Sequence, residues 1–383
     1  MKVTQDIKYI GVNDRKIDLF EGQYAVPNGM AYNSYLIMDE KIAVVDTVDA
    51  RFTEEWLTNL ENELSGKKPD YLIVQHMEPD HSGSIKAFCD SYPETVVVAN
   101  AKAFNMIKNF FGTDLSDRQL AVGENDTLNL GKHTLTFITA PMVHWPEVIM
   151  TYDSTDKVLF SADGFGKFGA LDCDEDWLDE SRRYYIGIVG KYGLQVNAVL
   201  KKAANLDIKT ICALHGPILT GDLTPYLNAY TKWANYEAEE SGVLIAYTSI
   251  YGNTKKAALL LAEELTDKGV KNEIFDLARS DIYEVVGKAF KYDKIVFATT
   301  TYNTDIFPKM RTFIEYLTAR NFQNRRIAFI ENGSWGPLAT KVMKIMLQDC
   351  KNLTVCENNV TILSGVSEQN EISIKNLANE LSK

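Results

Sequence analysis

Residues 76–81 read HMEPDH and follow directly on the apolar run YLIVQ. His76, Glu78, Asp80 and His81 all carry nitrogen or oxygen donors suited to a metal ion, and the whole chain has only 5 histidines. In an extended strand alternate side chains point the same way, so His76, Glu78 and Asp80 are expected to converge on one side, with His81 reaching in from the turn. Further ligands follow. Asp163 in KVLFSADGFG and His215 in TICALHGPIL each end a strand-like apolar run, and His144 in APMVHWPEV comes a short turn after LTFITAP. One histidine at a strand end is usually only hydrogen-bonded. With His76, His81, His144 and His215 all at strand ends beside carboxylates, a metal site is the simpler account. His133, in the turn NLGKHTL, stands apart and is expected to be solvated.

Bringing these side chains to one rim requires strands that end together. Up to about residue 240 the chain reads as short strands punctuated by turns. AYNSYLIMDEKIAVVDTV and TLNLGKHTLTFITAP both have the form of hairpins. Between such groups lie amphipathic stretches such as RFTEEWLTNLENELSG, with Phe52, Trp56, Leu60 and Leu64 at helical spacing. Hairpins mixed with helices predict an α/β layered fold. After TKWANYEAEESG the pattern changes: GVLIAYTS, KNEIFDL, KIVFATT, RIAFIE and NVTILS alternate with helical segments, which predicts a doubly wound parallel sheet. The boundary is placed in the charged segment Glu239–Gly242, giving domains 1–241 and 242–383.

A doubly wound sheet binds its ligand at the carboxyl ends of its strands. The turn after the first strand, TSIYGNT, combines the hydroxyls of Thr248, Ser249 and Thr254 and the amide of Asn253 with the backbone of Ile250, Tyr251 and Gly252 at a helix start, which together form a phosphate nest. It has no positive side chain, which suits one phosphate monoester. The next turns supply Thr300, Thr301, Tyr302, Asn303 and Thr304, then Asn332, Gly333, Ser334, Trp335 and Gly336. Tyr302 and Trp335 are suited to flank a planar ring whose polar edge meets Asn303, Asn332 and Gly333. A nest for one phosphate and two loops for a heterocycle describe a flavin mononucleotide (FMN) site. Neither G-x-G-x-x-G nor a Walker loop occurs in this half.

A net charge of −12 and a pI near 5.0 argue against a nucleic-acid partner. The cysteines, 5 in number and nowhere arranged as C-x-x-C, argue against a disulfide scaffold or an iron–sulfur site. Without a long apolar run or a signal-like N-terminus the protein is expected to be cytoplasmic, with no membrane association.

The ligand set resembles the metallo-β-lactamase superfamily motif H-x-H-x-D-H, with Glu78 in place of the second histidine. The three turns of the second half resemble those of the flavodoxins. Together the halves look like the flavodiiron proteins, over essentially the whole chain. That resemblance implies an N-terminal αββα sandwich with His76, Glu78 and His144 on one iron, Asp80, His81 and His215 on the other, and Asp163 bridging. A set richer in carboxylate than a hydrolytic zinc pair suits redox iron. The implied activity is reduction of O2 to water or of NO to N2O, in a head-to-tail homodimer or a dimer of dimers. With no C-x-x-C module in the chain, the flavin is expected to take electrons from an external donor such as a rubredoxin, another small redox protein or a reduced deazaflavin. The segment from Asp163 to His215 is shorter than in most members, which bears on the loop over the metals. Within it, Tyr184 or Tyr185 of RRYYIG is a candidate hydroxyl donor to a bound substrate, against the alternative of a buried structural tyrosine. Trp145 is expected to line an apolar entrance for a small uncharged gas. Rival readings are a zinc hydrolase carrying a flavodoxin-like domain and a non-enzymatic FMN electron carrier.

Overall fold

A computed structural model describes every residue from Met1 to Lys383. The chain forms two compact units, Met1–Thr231 and Lys232–Lys383. The division falls upstream of the charged stretch Glu239–Gly242, because that stretch opens the strand Glu240–Tyr247 and the residues before it are tied into the second unit. Trp233 Nε1 donates to Glu239 Oε1 at 2.6 Å, and Arg325 Nη1 donates to the Tyr236 carbonyl at 2.7 Å.

The first unit is built on two six-stranded sheets. In one, the strands Ile7–Tyr9, Tyr35–Ile37 and Ala43–Val45 are antiparallel neighbours, and Ala43–Val45, Tyr71–Val74, Val96–Ala99 and Gln119–Ala121 run parallel. In the other, Thr127–Asn129, Thr134–Thr139, Ile149–Asp153 and Val158–Phe160 form an antiparallel meander, and Val158–Phe160 runs parallel to Thr210–Cys212. Ile37, Val45, Ile73 and Val98 of the first sheet pack against Leu135, Phe137, Ile149 and Phe160 of the second in one buried core. Alternate residues of each strand face that core, as the period of two requires. The helix Thr53–Leu64 buries Trp56, Leu60 and Leu64, the four-residue spacing read from sequence.

His133 is not solvated. Its side chain is fully buried, with Nδ1 3.0 Å from Asp153 Oδ2 and Nε2 3.3 Å from Asp6 Oδ2, while its backbone N–H donates to Asp39. Asp6 and Asp39 arrive from remote segments, which the turn composition of NLGKHTL does not reveal. The hydrogen bond with Asp153 outweighs the opposing effect of burial and holds the imidazole above its ordinary pKa.

In the second unit the strands lie in the order Asn272–Asp276, Glu240–Tyr247, Tyr292–Tyr302, Arg326–Asn332, Val360–Ile362, all parallel. The first two reverse the chain order, so a switch point lies between Glu240–Tyr247 and Tyr292–Tyr302. Two short strands carry too little pattern to be seen in sequence: Asp305–Ile306, folding back on Tyr292–Tyr302, and Thr354–Val355, beside Arg326–Asn332. No helix is long and apolar enough to cross a membrane.

Candidate functional site

The expected metal ligands meet because the strands that precede them end on one rim. Thr134–Thr139 and Val158–Phe160 run in the same direction, each antiparallel to Ile149–Asp153, and Thr210–Cys212 is parallel to Val158–Phe160. The loops carrying His144, Asp163 and His215 therefore leave the second sheet at the same end. The first sheet is joined to that end where Ile149 N donates to the Gln75 carbonyl at 3.1 Å, one residue before His76.

The ligand atoms fall into two groups, His76, Glu78, His144 and Asp163 in one and Asp80, His81 and His215 in the other. Asp163 faces both. Its Oδ2 lies 3.4 Å from His76 Nε2 and 3.1 Å from His144 Nε2, and its Oδ1 lies 3.2 Å from His81 Nε2. Contrary to the extended-strand expectation, Asp80 does not share a side with His76 and Glu78. Pro79 starts a short helix, Pro79–Ser82, with Glu78 as its N-cap, and that turn swings Asp80 and His81 towards His215. Asp80 Oδ2 is 3.2 Å from His215 Nε2.

Donors and acceptors here are mismatched in a way a cation resolves. The imidazole Nε2 atoms of His81 and His215 approach to 3.0 Å, and those of His76 and His144 to 3.3 Å. None of the carboxylate oxygens of Asp80 or Asp163 makes a well-aligned hydrogen bond, although all are buried. Such groups are costly to bury unless they coordinate a metal. Without one, protons take its place. Burial opposes charge on His76 and His144, but Asp163, Glu78 and, for His76, Glu147 outweigh it, holding His76 well above the ordinary range and His144 at about 9. The same imidazolium charges overcome burial to hold Asp163 well below the usual carboxylate range. Metal binding would displace these protons.

Neighbours that sequence reasoning missed fix the imidazoles. Glu147, fully buried, receives Nδ1–H of His76 and the Met77 N–H, both at 2.9 Å, on Oε1. His215 Nδ1–H donates to the Ala31 carbonyl at 2.7 Å. In both rings Nε2 is thereby left to face the metal space. Glu147 had a weak signal, an acidic residue three positions after His144; the Ala31 carbonyl had none. Asp46, with φ of 55°, accepts from Gln75 N and Gln75 Nε2 at 2.8 and 3.0 Å and pins the strand end. Gly166 permits a close approach: a Cβ there would lie 3.1 Å from the Asp163 carbonyl oxygen.

The two candidate tyrosines separate. The Tyr184 ring lies 5.5 Å from His215, and its buried hydroxyl has no hydrogen-bond partner. Tyr185 is turned edge-on to Tyr230 at 5.1 Å. Phe20 and Tyr32 also flank His215, at 5.4 and 6.0 Å, and the half-buried Trp145 stands edge-on to His76 at 5.3 Å. Glu21, in the turn after Phe20, presents a further carboxylate to Glu78.

In the second unit a cavity of about 560 Å³ opens at the carboxyl ends of the strands. Ser249, Ile250, Tyr251, Asn253 and Thr254 line it, with Thr300, Thr301, Tyr302, Asn303 and Thr304 and with Asn332, Gly333, Ser334, Trp335 and Gly336. Thr248 and Gly252 are not on its wall. The Thr248 hydroxyl is buried against Thr299 Oγ1 at 2.6 Å, and Gly252, with φ of 93°, is the helix cap that turns the loop. Leu338 and Ser364 join the lining. Ser364 follows the fifth strand, Val360–Ile362, in a turn whose sequence SGVS has no aromatic residue to mark it. The hydroxyls of Thr254 and Thr300 are buried without partners, and no charged side chain lines the cavity. Unused neutral donors beside the helix start at Asn253 fit a phosphate monoester.

Fold and sites thus define a β-lactamase-like metal-binding unit joined to a flavodoxin-like unit. Comparison with known proteins agrees: residues 30–216 match the ODP family beta lactamase description and residues 244–351 a flavodoxin domain. The anaerobic nitric oxide reductase flavorubredoxin of Escherichia coli is 31% identical over 363 residues, which cover 91% of this chain and 75% of that one. Among solved structures, the rubredoxin oxygen:oxidoreductase of Desulfovibrio gigas superimposes with a TM-score of 0.92 at 25% identity, and the flavodiiron protein of Giardia intestinalis with 0.92 at 27%. Each match covers 100% of this chain and 97% of the other. The chain belongs to the flavodiiron protein family. It is an oxidoreductase.

Proposed function

We propose that the protein reduces a diatomic gas, O2 to water or NO to N2O and water, at two iron ions held by the rim of the first unit, with electrons arriving through FMN in the second. His76, Glu78 and His144 would hold one ion, Asp80, His81 and His215 the other, and Asp163 would span both. The observation that carries the reading is the packing of ligand atoms, imidazole Nε2 against imidazole Nε2 at 3.0–3.3 Å around carboxylate oxygens that lack aligned donors.

When bound, two ferrous ions and a reduced flavin supply four electrons and open coordination positions for the gas. Those electrons and four protons convert O2 to two waters; two electrons and two protons convert two NO to N2O and water. The chain's own part is positional. Glu147 and the Ala31 carbonyl hold His76 and His215 in the tautomer whose Nε2 is free. Phe20, Tyr32 and Tyr184 surround His215 with aromatic surface, which would favour a small neutral molecule over a charged one. The Tyr184 hydroxyl, buried and held protonated by burial and the charges of Asp163, Glu78 and Asp80, would donate a hydrogen bond to the bound gas. An external donor, a rubredoxin, another small redox protein or a reduced deazaflavin, supplies the flavin, and a head-to-tail homodimer is the assembly this reading favours.

The test is to quantify iron, zinc and flavin in protein prepared without air, then follow single-turnover oxidation of the fully reduced form by each gas. Two irons and one FMN per chain with rapid oxidation by O2 or NO are expected, and Asp163→Ala should lose both metals. Zinc in place of iron, with thioester or lactam hydrolysis, would overturn the reading. So would electron-carrier behaviour untouched in His81→Ala and Asp163→Ala.

A further inference from the structure

The group Asp80, His81 and His215 is carried on two pieces of chain, each held from outside. His215 donates to the Ala31 carbonyl and packs edge-on against Tyr32. Both belong to the strand Met30–Tyr32, which pairs antiparallel with Val12–Asp14 to make a two-stranded ribbon. Asp80 and His81 sit on the helix Pro79–Ser82, and residues 47–53 embrace it. Thr47 N and Thr47 Oγ1 donate to the His81 carbonyl at 3.0 and 2.6 Å, and Thr53 Oγ1 meets Ser84 Oγ at 2.8 Å. The approach is so close that a Cβ at Gly83 would lie 2.6 Å from Ala50 N. Ligands on separate pieces hold one ion tightly only when the gap between them is fixed beforehand to about 0.5 Å.

Arg51 bridges the two pieces. It lies in the single turn Ala50–Phe52, capped by Asp49, whose carboxylate accepts from Arg51 N at 2.8 Å and from Nε and Nη2 at 3.0 Å each. From that anchorage Nη1 pairs with Asp14 Oδ2 at 2.9 Å on one strand of the ribbon, and Nη2 donates to the Tyr32 hydroxyl at 3.2 Å on the other. A planar fork meets three groups in fixed directions, which an ammonium does not. Stability alone does not account for this arrangement, because the Arg51 side chain is 54% exposed and ion pairs so exposed contribute little. Only Asp14, 1% exposed, needs a cation, and a lysine would serve it. Positive charge near a site for two dications also opposes their binding. What neither effect explains is geometry.

We propose that Arg51 is a positioning residue for the second metal position, fixing the ribbon behind His215 against the loop behind His81 so that their Nε2 atoms, 3.0 Å apart, share one ion with Asp80; this rests on the diiron reading above. Ser34 Oγ, donating to the Asp46 carbonyl at 2.8 Å, already joins the two pieces at one point. A joint at one point pivots, and Arg51 adds the second. Arg51 bonds to none of His76, Glu78, His144 and Asp163, so its effect falls on one position only.

The experiment is anaerobic Co(II) titration of the full chain, stripped of metal beforehand, against a competing chelator, followed by the visible Co(II) absorption. His215→Ala identifies the step that belongs to the second position. Wild type should take up two ions. Tyr32→Phe removes only the hydroxyl and leaves the pairs with Asp14 and Asp49; Arg51→Lys keeps a cation for Asp14 and loses the fork. Each should weaken the second-position step about tenfold and alter its absorption, with the other step and the urea midpoint unchanged. Arg51→Met should weaken it at least as much and also lower the midpoint, since it leaves Asp14 buried and unpaired. An unchanged step in either Tyr32→Phe or Arg51→Lys would overturn the proposal. So would equal weakening of both steps, which would make Arg51 merely structural, or tightening in Arg51→Met, which would assign its effect to charge. Wild type that takes up no more than one Co(II) refutes the diiron reading, and the proposal with it.

Discussion

Glu147 offers a sharp test of how the metal site is built. Its Oε1 receives both His76 Nδ1–H and Met77 N–H at 2.9 Å, and the carboxyl stays ionised because these bonds and the His76 charge outweigh burial. Glu147→Gln keeps an acceptor oxygen of nearly the same shape and removes the charge. A hydrogen bond to an ionised partner contributes about 1.5–3 kcal/mol and a neutral one about 0.5–1.5. The difference of about 1.4 kcal/mol is about a tenfold change in affinity, in line with the effect of removing the outer partner of a metal-bound histidine. Only the group holding His76 should feel it, since Glu147 makes no contact with Asp80, His81 or His215. Anaerobic titration with Co(II), competed against a chelator, should therefore show one of two binding steps weakened about tenfold and the other unchanged. Equal weakening of both steps, or of neither, would refute the argument that Glu147 acts by orienting one ring.

Other outcomes follow from other parts of the chain. His133 is held above its ordinary pKa by Asp153 and Asp6, so its contribution to stability is complete below about pH 6.5 and lost as pH rises through the elevated folded value; the thermal midpoint of wild type, relative to His133→Gln, should fall over that interval. Thr254→Val removes a buried, unpartnered hydroxyl. The FMN-free protein should be as stable as wild type or more so, while FMN affinity measured by fluorescence quenching drops about 10- to 100-fold, the equivalent of one hydrogen bond to a charged phosphate. Buried Arg325, whose guanidinium donates to the carbonyls of Tyr236, Gln323, Asn324 and Phe290, ties the segment before the second unit's first strand to its sheet. Arg325→Met should destabilise that unit by about 3 kcal/mol, read by urea denaturation with flavin fluorescence; a change below about 0.5 kcal/mol would refute a structural role.

Much of this protein was legible along the chain because the signals were local. Short apolar runs marked the strands before His76 and Asp163, and the change of pattern after residue 240 marked the doubly wound sheet. The turns 249–254, 300–304 and 332–336 could be placed on the cavity because strand ends and their turns are adjacent in sequence. The sequence also assembled the seven metal-site side chains as candidates by type.

What it could not determine was which side chains share a face across remote segments. Pro79 converts two residues of an expected extended run into a helical turn, and that rotation moves Asp80 from His76 to His215. The partners of His76, His215 and His133 lie 71, 184, 20 and 127 residues away for Glu147, Ala31, Asp153 and Asp6 respectively, so no spacing announces them. Periodicity fixes the direction of a side chain within its own element; the pairing of elements, set by burial of both sheets' inner faces, decides what that side chain meets.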